Sequence, residues 1–300
     1  MMNSQPQVRV VRVFAAGPGG GNPAPIVVDA VGMLDAEMQE VAKSYGHESG
    51  FVLPPPSGSG CDFEFRFWVP NHEMSMCGHA TVGAVWQLEQ LGRLRDDHLV
   101  IWTKSGRVEA RITRTTEKGV LIEISQPAGL VEQLPNAGEA DADVLDVLGI
   151  HSDDLAALPI QNARTSRVKT LVPLKSVSTL DSLNPDFSKI KQLCERIGST
   201  GLYPYAISDR NSQVFDARQC PSSSGYPEDA ATGIAASALA FGLLSNRIVE
   251  ASERRITIRQ GRAMQRASEI LVRFNLDNGR ADGCWLCGVV QPAEHQEDRP

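Results

Sequence analysis

No apolar run in this chain approaches the ~18 residues that a membrane-spanning helix needs. The opening Met1-Met2-Asn3-Ser4-Gln5-Pro6-Gln7 lacks the basic flank and apolar core of a secretion signal. A cytoplasmic protein with no membrane partner is the expectation. Cysteine is scarce too: Cys61, Cys77, Cys194, Cys220, Cys284 and Cys287 are too few for a disulfide framework in 300 residues. Positive charge runs a deficit, with 29 Lys and Arg against 36 Asp and Glu, a net charge of −7. Nucleic acid is therefore disfavoured as a partner, because it would demand a basic face. Nor is there a metal-ligand set. Cys284-x-x-Cys287 is a single pair with no neighbouring His, in a segment that reads as a strand, where side chains three apart point to opposite faces. No metal is expected.

What the chain does hold is one device used twice. Met76-Cys77-Gly78-His79-Ala80-Thr81-Val82-Gly83-Ala84 opens one run of small residues, and Glu228-Asp229-Ala230-Ala231-Thr232-Gly233-Ile234-Ala235-Ala236 opens another. Each begins with polar, thiol or ionisable side chains and passes into a helix-forming stretch, Val82 to Leu91 and Ala235 to Leu244. Each reads as a loop feeding a helix N-terminus. Such an end offers unpaired backbone N–H groups and partial positive charge, so two facing across a cleft would hold a carboxylate. His79 and Asp229 stand at those starts.

The length suits two domains, and 42% hydrophobic with 22% charged residues is ordinary for a globular chain. Strand patterns lead: Val8 to Phe14, Ile26 to Val28, the alternation of Phe63, Phe65, Phe67 and Val69, then Leu99 to Thr103, Arg107 to Thr113 and Val120 to Ser125. Asp35 can cap a helix that puts Met38, Val41, Ala42 and Tyr45 on one side. A polar, Ala-rich stretch from Gln133 to about Asp143 reads as a connection, followed by a short helix toward Leu148. The pattern then resumes: strand at Val168 to Val172, helix at Phe187 to Ile197, strands at Gly201 to Ser208 and Gln213 to Ala217, and the second small-residue helix. Strands at Ile256 to Ile258, Ile270 to Phe274 and Cys284 to Val290 close the chain. Similar element order in the two halves argues for duplication.

Singly, the polar residues are unremarkable. Glu48, between the Asp35 helix and a strand, is on its own a surface glutamate. His79 serves equally well as a structural residue of a first helical turn. Asp229 at a helix start would stabilise it by ~0.3–1 kcal/mol with no function at all.

Together they carry a likeness. Arg12-Val13-Phe14 with Gly20-Gly21-Asn22-Pro23-Ala24, Glu37-Met38-Gln39-Glu40-Val41-Ala42, His47-Glu48-Ser49-Gly50-Phe51-Val52, Cys77-Gly78-His79-Ala80-Thr81, Glu228-Asp229-Ala230-Ala231-Thr232-Gly233 and Gln260-Gly261-Arg262-Ala263-Met264, followed by Arg266-Ala267-Ser268, occur in one order. The chain resembles the phenazine-biosynthesis PhzF-like family, within the diaminopimelate epimerase fold, from about Val8 to Val290. The resemblance implies an α+β protein of two pseudo-symmetric domains, each a sheet wrapped around a central helix, with the active site in the cleft between them. It places the first domain at 8–128, with a C-terminal strand at 284–290 as a possible addition, and the second at 135–283. It also implies a homodimer, no cofactor and a small carboxylate substrate. Glu48 matches the glutamate that moves a proton between carbons in the best-understood members. His79 and Asp229 match the other polar active-site residues. Gly78 matches a glycine whose backbone contributes at the same helix start.

The chemistry suits those residues independently. One carboxyl can shift a double bond if it reaches both carbons and a closed apolar site, with Asp229 as a like charge nearby, raises its pKa. Helix N-terminal N–H groups at Gly78 and Gly233 would receive the substrate carboxylate. The chain departs from the family in having Ile234 where a serine is usual and His47 where a serine often precedes the glutamate, which reshapes the substrate site. Two other readings stay open. Cys77 sits where epimerases of this fold carry the first of two thiols, but no thiol occupies the second position, near Asp229 or Ala230; Cys220 lies well upstream. A binder of small carboxylates or of a protein, without catalysis, is the third.

Overall fold

The computed structural model describes residues 7–115 and 119–293. The chain divides into two compact units, one running to Ser125 and resuming at Cys287, the other comprising Gln126–Leu286.

In the first unit β1 (Arg9–Val13), β2 (Asn22–Val27), α1 (Asp35–Tyr45), β3 (Ser49–Leu53), β4 (Phe63–Trp68), β5 (Glu73–Met74), α2 (Gly78–Gln90), β6 (His98–Thr103), β7 (Gly106–Thr115) and β8 (Gly119–Gln126) follow in sequence. β1 pairs antiparallel with β2, β2 parallel with β3, β3 antiparallel with β4, β4 parallel with β6, and β6 antiparallel with β7. β7 then pairs antiparallel with β8. α1 starts one residue earlier than the sequence suggests: Leu34, not Asp35, is the N-cap, and Asp35 is the first helical residue. The orphan N–H of Leu34 donates to the Glu37 carboxylate at 2.7 Å, which is why an apolar residue can hold that position. Gly46, in a left-handed conformation (φ 67°), ends the helix by donating to Ala42 O. The helix buries Met38 and Ala42 against Val27, Ala30, Phe51 and Trp68.

The second unit holds β9 (Leu130–Gln133), α3 (Ala137–Leu148), β10 (Gln161–Arg164), β11 (Val168–Leu174), α4 (Val177–Ser182), α5 (Phe187–Ile197), β12 (Gly201–Asp209), β13 (Val214–Ala217), β14 (Cys220–Pro221), α6 (Gly233–Ser245), β15 (Ile256–Gln260) and β16 (Ser268–Asp277). β10 pairs antiparallel with β11, β11 parallel with β12, β12 antiparallel with β13, β13 parallel with β15, and β15 antiparallel with β16. The alternation repeats that of the first unit, strand for strand. A two-residue strand precedes the long helix in both, β5 on β4 and β14 on β12.

β17 (Arg280–Gly288) and β18 (Val290–Pro292) complete the chain. The segment expected as a single strand is thus interrupted at Val289, whose carbonyl accepts the Ala15 N–H at 3.2 Å. β18 pairs antiparallel with β1, Val11 facing Pro292. Cys284 and Cys287 both lie buried on β17. The stretch expected as a polar connection, Gln133 to about Asp143, begins at the last residue of β9 and holds the first half of α3; β9 pairs with β10 through its backbone, a bond that side-chain pattern does not advertise.

Each unit wraps its sheet around one helix, α2 in the first and α6 in the second. α2 is buried from Gly78 to Val85 and packs on β1, β2 and β3; α6 is buried from Gly233 to Leu243 and packs on β9, β10, β11 and β16. A helix apolar on all sides is the signature of a fully enclosed one. Glycine allows the close approach: a Cβ on Gly83 would stand 2.8 Å from Val11 Cγ2, and one on Gly242 2.3 Å from Leu171 Cδ1.

Candidate active site

The start of α2 gathers three chemically capable side chains. Cys77 is its N-cap, in extended backbone conformation, and Gly78 and His79 begin its first turn. The turn is fixed by Thr81, whose N–H and hydroxyl both donate to Cys77 O, at 3.0 and 2.7 Å. Glu48 arrives from the chain just before β3. That strand can run close beside α2 because Gly50 has no side chain; a Cβ there would lie 3.5 Å from Ala80 O and 3.0 Å from Ile26 Cδ1.

Cys77 Sγ lies 3.4 Å from His79 Nδ1, and His79 Nε2 lies 3.4 Å from Glu48 Oε2. The second contact is ion-pair range rather than a short hydrogen bond. A carboxylate only accepts, so it favours the imidazole proton on Nε2 and leaves Nδ1 to accept from the thiol. His79 is almost fully buried, while the Glu48 side chain keeps 15% of its surface open. The carboxylate is therefore the most open member of the group. His47 precedes it on a bend, half-buried, and its carbonyl accepts the Ser49 hydroxyl at 3.1 Å.

Ligand atoms of Glu48, Cys77 and His79 lie within 4.8 Å of one another, near enough to suggest a metal cage. The ring argues otherwise. Thiol and carboxylate approach different imidazole nitrogens, whereas a single ion would need both ligands around one nitrogen. The arrangement suits passage of a proton along a line.

In the second unit the start of α6 is built from different parts. Thr232 is the N-cap, and its hydroxyl donates to the Asp229 carboxylate. The Asp229 N–H donates to Gln219 O at 3.0 Å, and Asp229 O accepts Gln260 Nε2 at 2.7 Å. Gln260 in turn accepts the Tyr203 hydroxyl at 2.9 Å. Burial, and then the Asp229 charge, push the Tyr203 phenol far above its ordinary pKa, so it stays a neutral donor. The residue beside Asp229, Glu228, takes a two-pronged ion pair from Arg218 at 2.9 and 2.7 Å. Arg218 Nη1 also donates to Leu180 O and Leu183 O, which ties the loop to the end of α4. Gly233 and Ile234 form the first turn of α6, both buried; Gly233 is closed over by Leu286, whose Cδ2 would meet a Cβ at 2.4 Å.

The structure thus brings Glu48, His47, Cys77, Gly78 and His79 to one helix start, and Asp229, Gly233 and Ile234 to the other. Sequence reasoning quoted Gln260 within a motif but gave it no role, and passed over Tyr203 and Arg218. The signal available for Gln260 and Gly261 was their adjacency. Gly261 has φ 78°, and a Cβ on it would strike Arg266 O and Ala230 O at 2.3 and 2.7 Å, so the dipeptide is moulded to the Asp229 loop. Cys220 sits in the apolar core formed with α3 and α5, and burial pushes its thiol up to about 12. Cys194 and Cys284, raised by burial to about 11 and 12, are equally inert at neutral pH.

Residues 11–283 match the sequence profile of the family described as phenazine biosynthesis-like protein. An uncharacterised isomerase of Deinococcus radiodurans is 31% identical, with 93% of this chain and 90% of that protein covered. The trans-2,3-dihydro-3-hydroxyanthranilate isomerase of Pseudomonas aeruginosa is 29% identical over 88% of each chain. Among solved structures, a PhzF-family protein of Bacillus anthracis superposes with a TM-score of 0.85 at 26% identity, covering 96% of both chains. A probable proline racemase of Agrobacterium radiobacter shares the fold, with a TM-score of 0.63 at 11% identity over 96% of this chain and 91% of the other.

Proposed function

The chain belongs to the phenazine biosynthesis-like family and is an isomerase, and on that premise we propose that it moves a proton between carbon atoms of a small unsaturated carboxylic acid. Glu48 is the group that carries the proton. The observation that supports this is the pairing of Glu48 Oε2 with His79 Nε2 at 3.4 Å, with the carboxylate the more open of the two.

Glu48 takes a proton from one substrate carbon, and the electron pair moves through the conjugated system toward the substrate carboxylate. The backbone at the start of α2, with Gly78 in its first turn, receives that negative charge. Glu48 then returns the proton to a second carbon. His79, proton on Nε2, holds the carboxylate in place and sheds or gains charge in step with it. Asp229, held as it is by Thr232 and Gln260, is assigned a tuning or orienting role, and Gly233 offers its backbone N–H to an anion in the first turn of α6. Ile234 and His47 set which ring the site accepts. This chemistry asks for no cofactor, since the substrate's own conjugation stores the electron pair.

The test is solvent exchange. Incubated in deuterated water with cyclic dihydro carboxylic acids, the wild type is expected to place deuterium on ring carbon. Glu48→Gln is expected to lower that rate by roughly a hundredfold to ten-thousandfold, the usual worth of a general acid–base group. Exchange that survives Glu48→Gln would sink the assignment. A second reading, inversion at the α-carbon of an amino acid by Cys77, gains support from the thiol–imidazole contact. It requires α-deuterium incorporation that vanishes in Cys77→Ala.

A further inference from the structure

The proton-shift reading gives Cys77 no task, yet its surroundings are those of a working nucleophile. Its sulfur meets an imidazole nitrogen at 3.4 Å, the opposite nitrogen of that ring meets a carboxylate at 3.4 Å, and the residue caps a helix N-terminus. Nucleophile, base and orienting acid in that order are the constellation by which a thiol is converted to thiolate. The helix end adds partial positive charge beside the sulfur. The other buried cysteines provide an internal contrast. Cys194, Cys220 and Cys284 are held as neutral thiols chiefly by burial.

We propose that Cys77, with His79 as proton acceptor and Glu48 steadying the imidazolium, is an electrophile-reactive thiol and the site at which small soft electrophiles covalently modify this protein. The thiol proton moves to His79 Nδ1. The sulfur lone pair then attacks the electrophilic carbon, so that with an alkyl iodide the S–C bond forms as the C–I bond breaks and iodide leaves. No electron is gained or lost overall, and no co-reactant is needed. The adduct stands against His79 and one residue from Gly78, so it closes the site around Glu48. The reaction does not depend on which substrate Glu48 serves or on whether Glu48 moves a proton at carbon.

Iodoacetamide is the probe, with peptide mass mapping to locate the adduct over time near neutral pH. Cys77 is expected to be alkylated before Cys61, although Cys61 is the partly exposed cysteine and Cys77 is only 3% exposed. His79→Asn is expected to slow the Cys77 adduct by about tenfold or more, and Glu48→Gln to slow it by less, with both variants checked for wild-type circular dichroism. Glu48→Gln supplies the same comparison if His79→Asn does not fold. The wild-type rate is also expected to stay high as pH falls below the ordinary thiol range, where the variant rates drop. Labelling of Cys61 first, no adduct at Cys77, or equal Cys77 rates in wild type and variants would overturn the proposal. Deuterium exchange, measured on the same samples, reports separately on the isomerase reading.

Discussion

At the scale of single residues, the Asp229 loop rests on charged groups taken out of water and paired with one another. Arg218 spends its donors on Glu228 and on two carbonyls at the end of α4, and both charged side chains are only about 9% exposed. Removing one partner of such a pair strands the other charge. Arg218→Met is therefore expected to cost about 3–5 kcal/mol in urea unfolding, and adding Glu228→Gln should recover a substantial part of it. A double variant no more stable than the single one would show that the pair is not the cause. Cys77, His79 and Asp229 could be singled out in the sequence because each sits in a short motif beside a helix start, and Glu48 because it sits in the motif His47 to Val52 that leads into a strand. Gln260 could be quoted but not understood: its partner Tyr203 lies 57 positions away, and hydrogen bonding across such a span leaves no periodic trace. Arg218 left no trace at all, since an arginine ten residues before a glutamate looks like any surface pair until burial is known.

Among the elements, the two enclosed helices set the tolerance of the fold. α2 presses on β1 at Gly83, where an added Cβ would stand 2.8 Å from Val11 Cγ2 and 3.2 Å from Val13 Cγ2. Gly83→Ala forces a strand or a helix to yield, and is expected to cost about 1–3 kcal/mol despite alanine's better helix propensity. Thermal melting checks it: an unchanged or raised midpoint would mean that the valines simply turn aside. Both helices were legible from their small-residue openings, and α5 (Phe187–Ile197) was readable from its periodicity to the residue. Of the strands of two to four residues, β13 was legible as Gln213 to Ala217, whereas β5, β9, β10 and β14 were not. Their existence is decided by a neighbouring backbone, and their side chains are as often polar as apolar.

Across the whole molecule, the repeated pairing pattern of the two units is what the element order foretold, and side-chain identity between the halves is too slight to have shown it. The protonation behaviour is also a whole-chain property. Tyr203 and Tyr205 are fully buried, with phenols pushed well above their ordinary value by burial, and Cys194, Cys220 and Cys284 are raised to about 11, 12 and 12. In each case the native state holds a proton that the unfolded chain releases. The stability this confers is whole below the unfolded cysteine value of about 9 and falls as pH rises beyond it. Alkaline titration should therefore show the phenolate absorbance of the buried tyrosines appearing together with loss of circular dichroism, in one transition. Ionisation of all four tyrosines near pH 10 with the dichroism intact would contradict it.

The pairing of β18 with β1 joins Val11 to Pro292 and Val13 to Val290. On the ribosome, the nascent β1 strand must wait with one edge unsatisfied until Val290–Pro292 has been made. Gln126–Leu286 is meanwhile free to condense as it emerges. Synthesis order and folding order are thereby inverted for β1: it is translated before Gln126–Leu286 and finished after it, and a ribosome that stalls short of Val290 leaves an open strand edge ready to recruit the wrong partner.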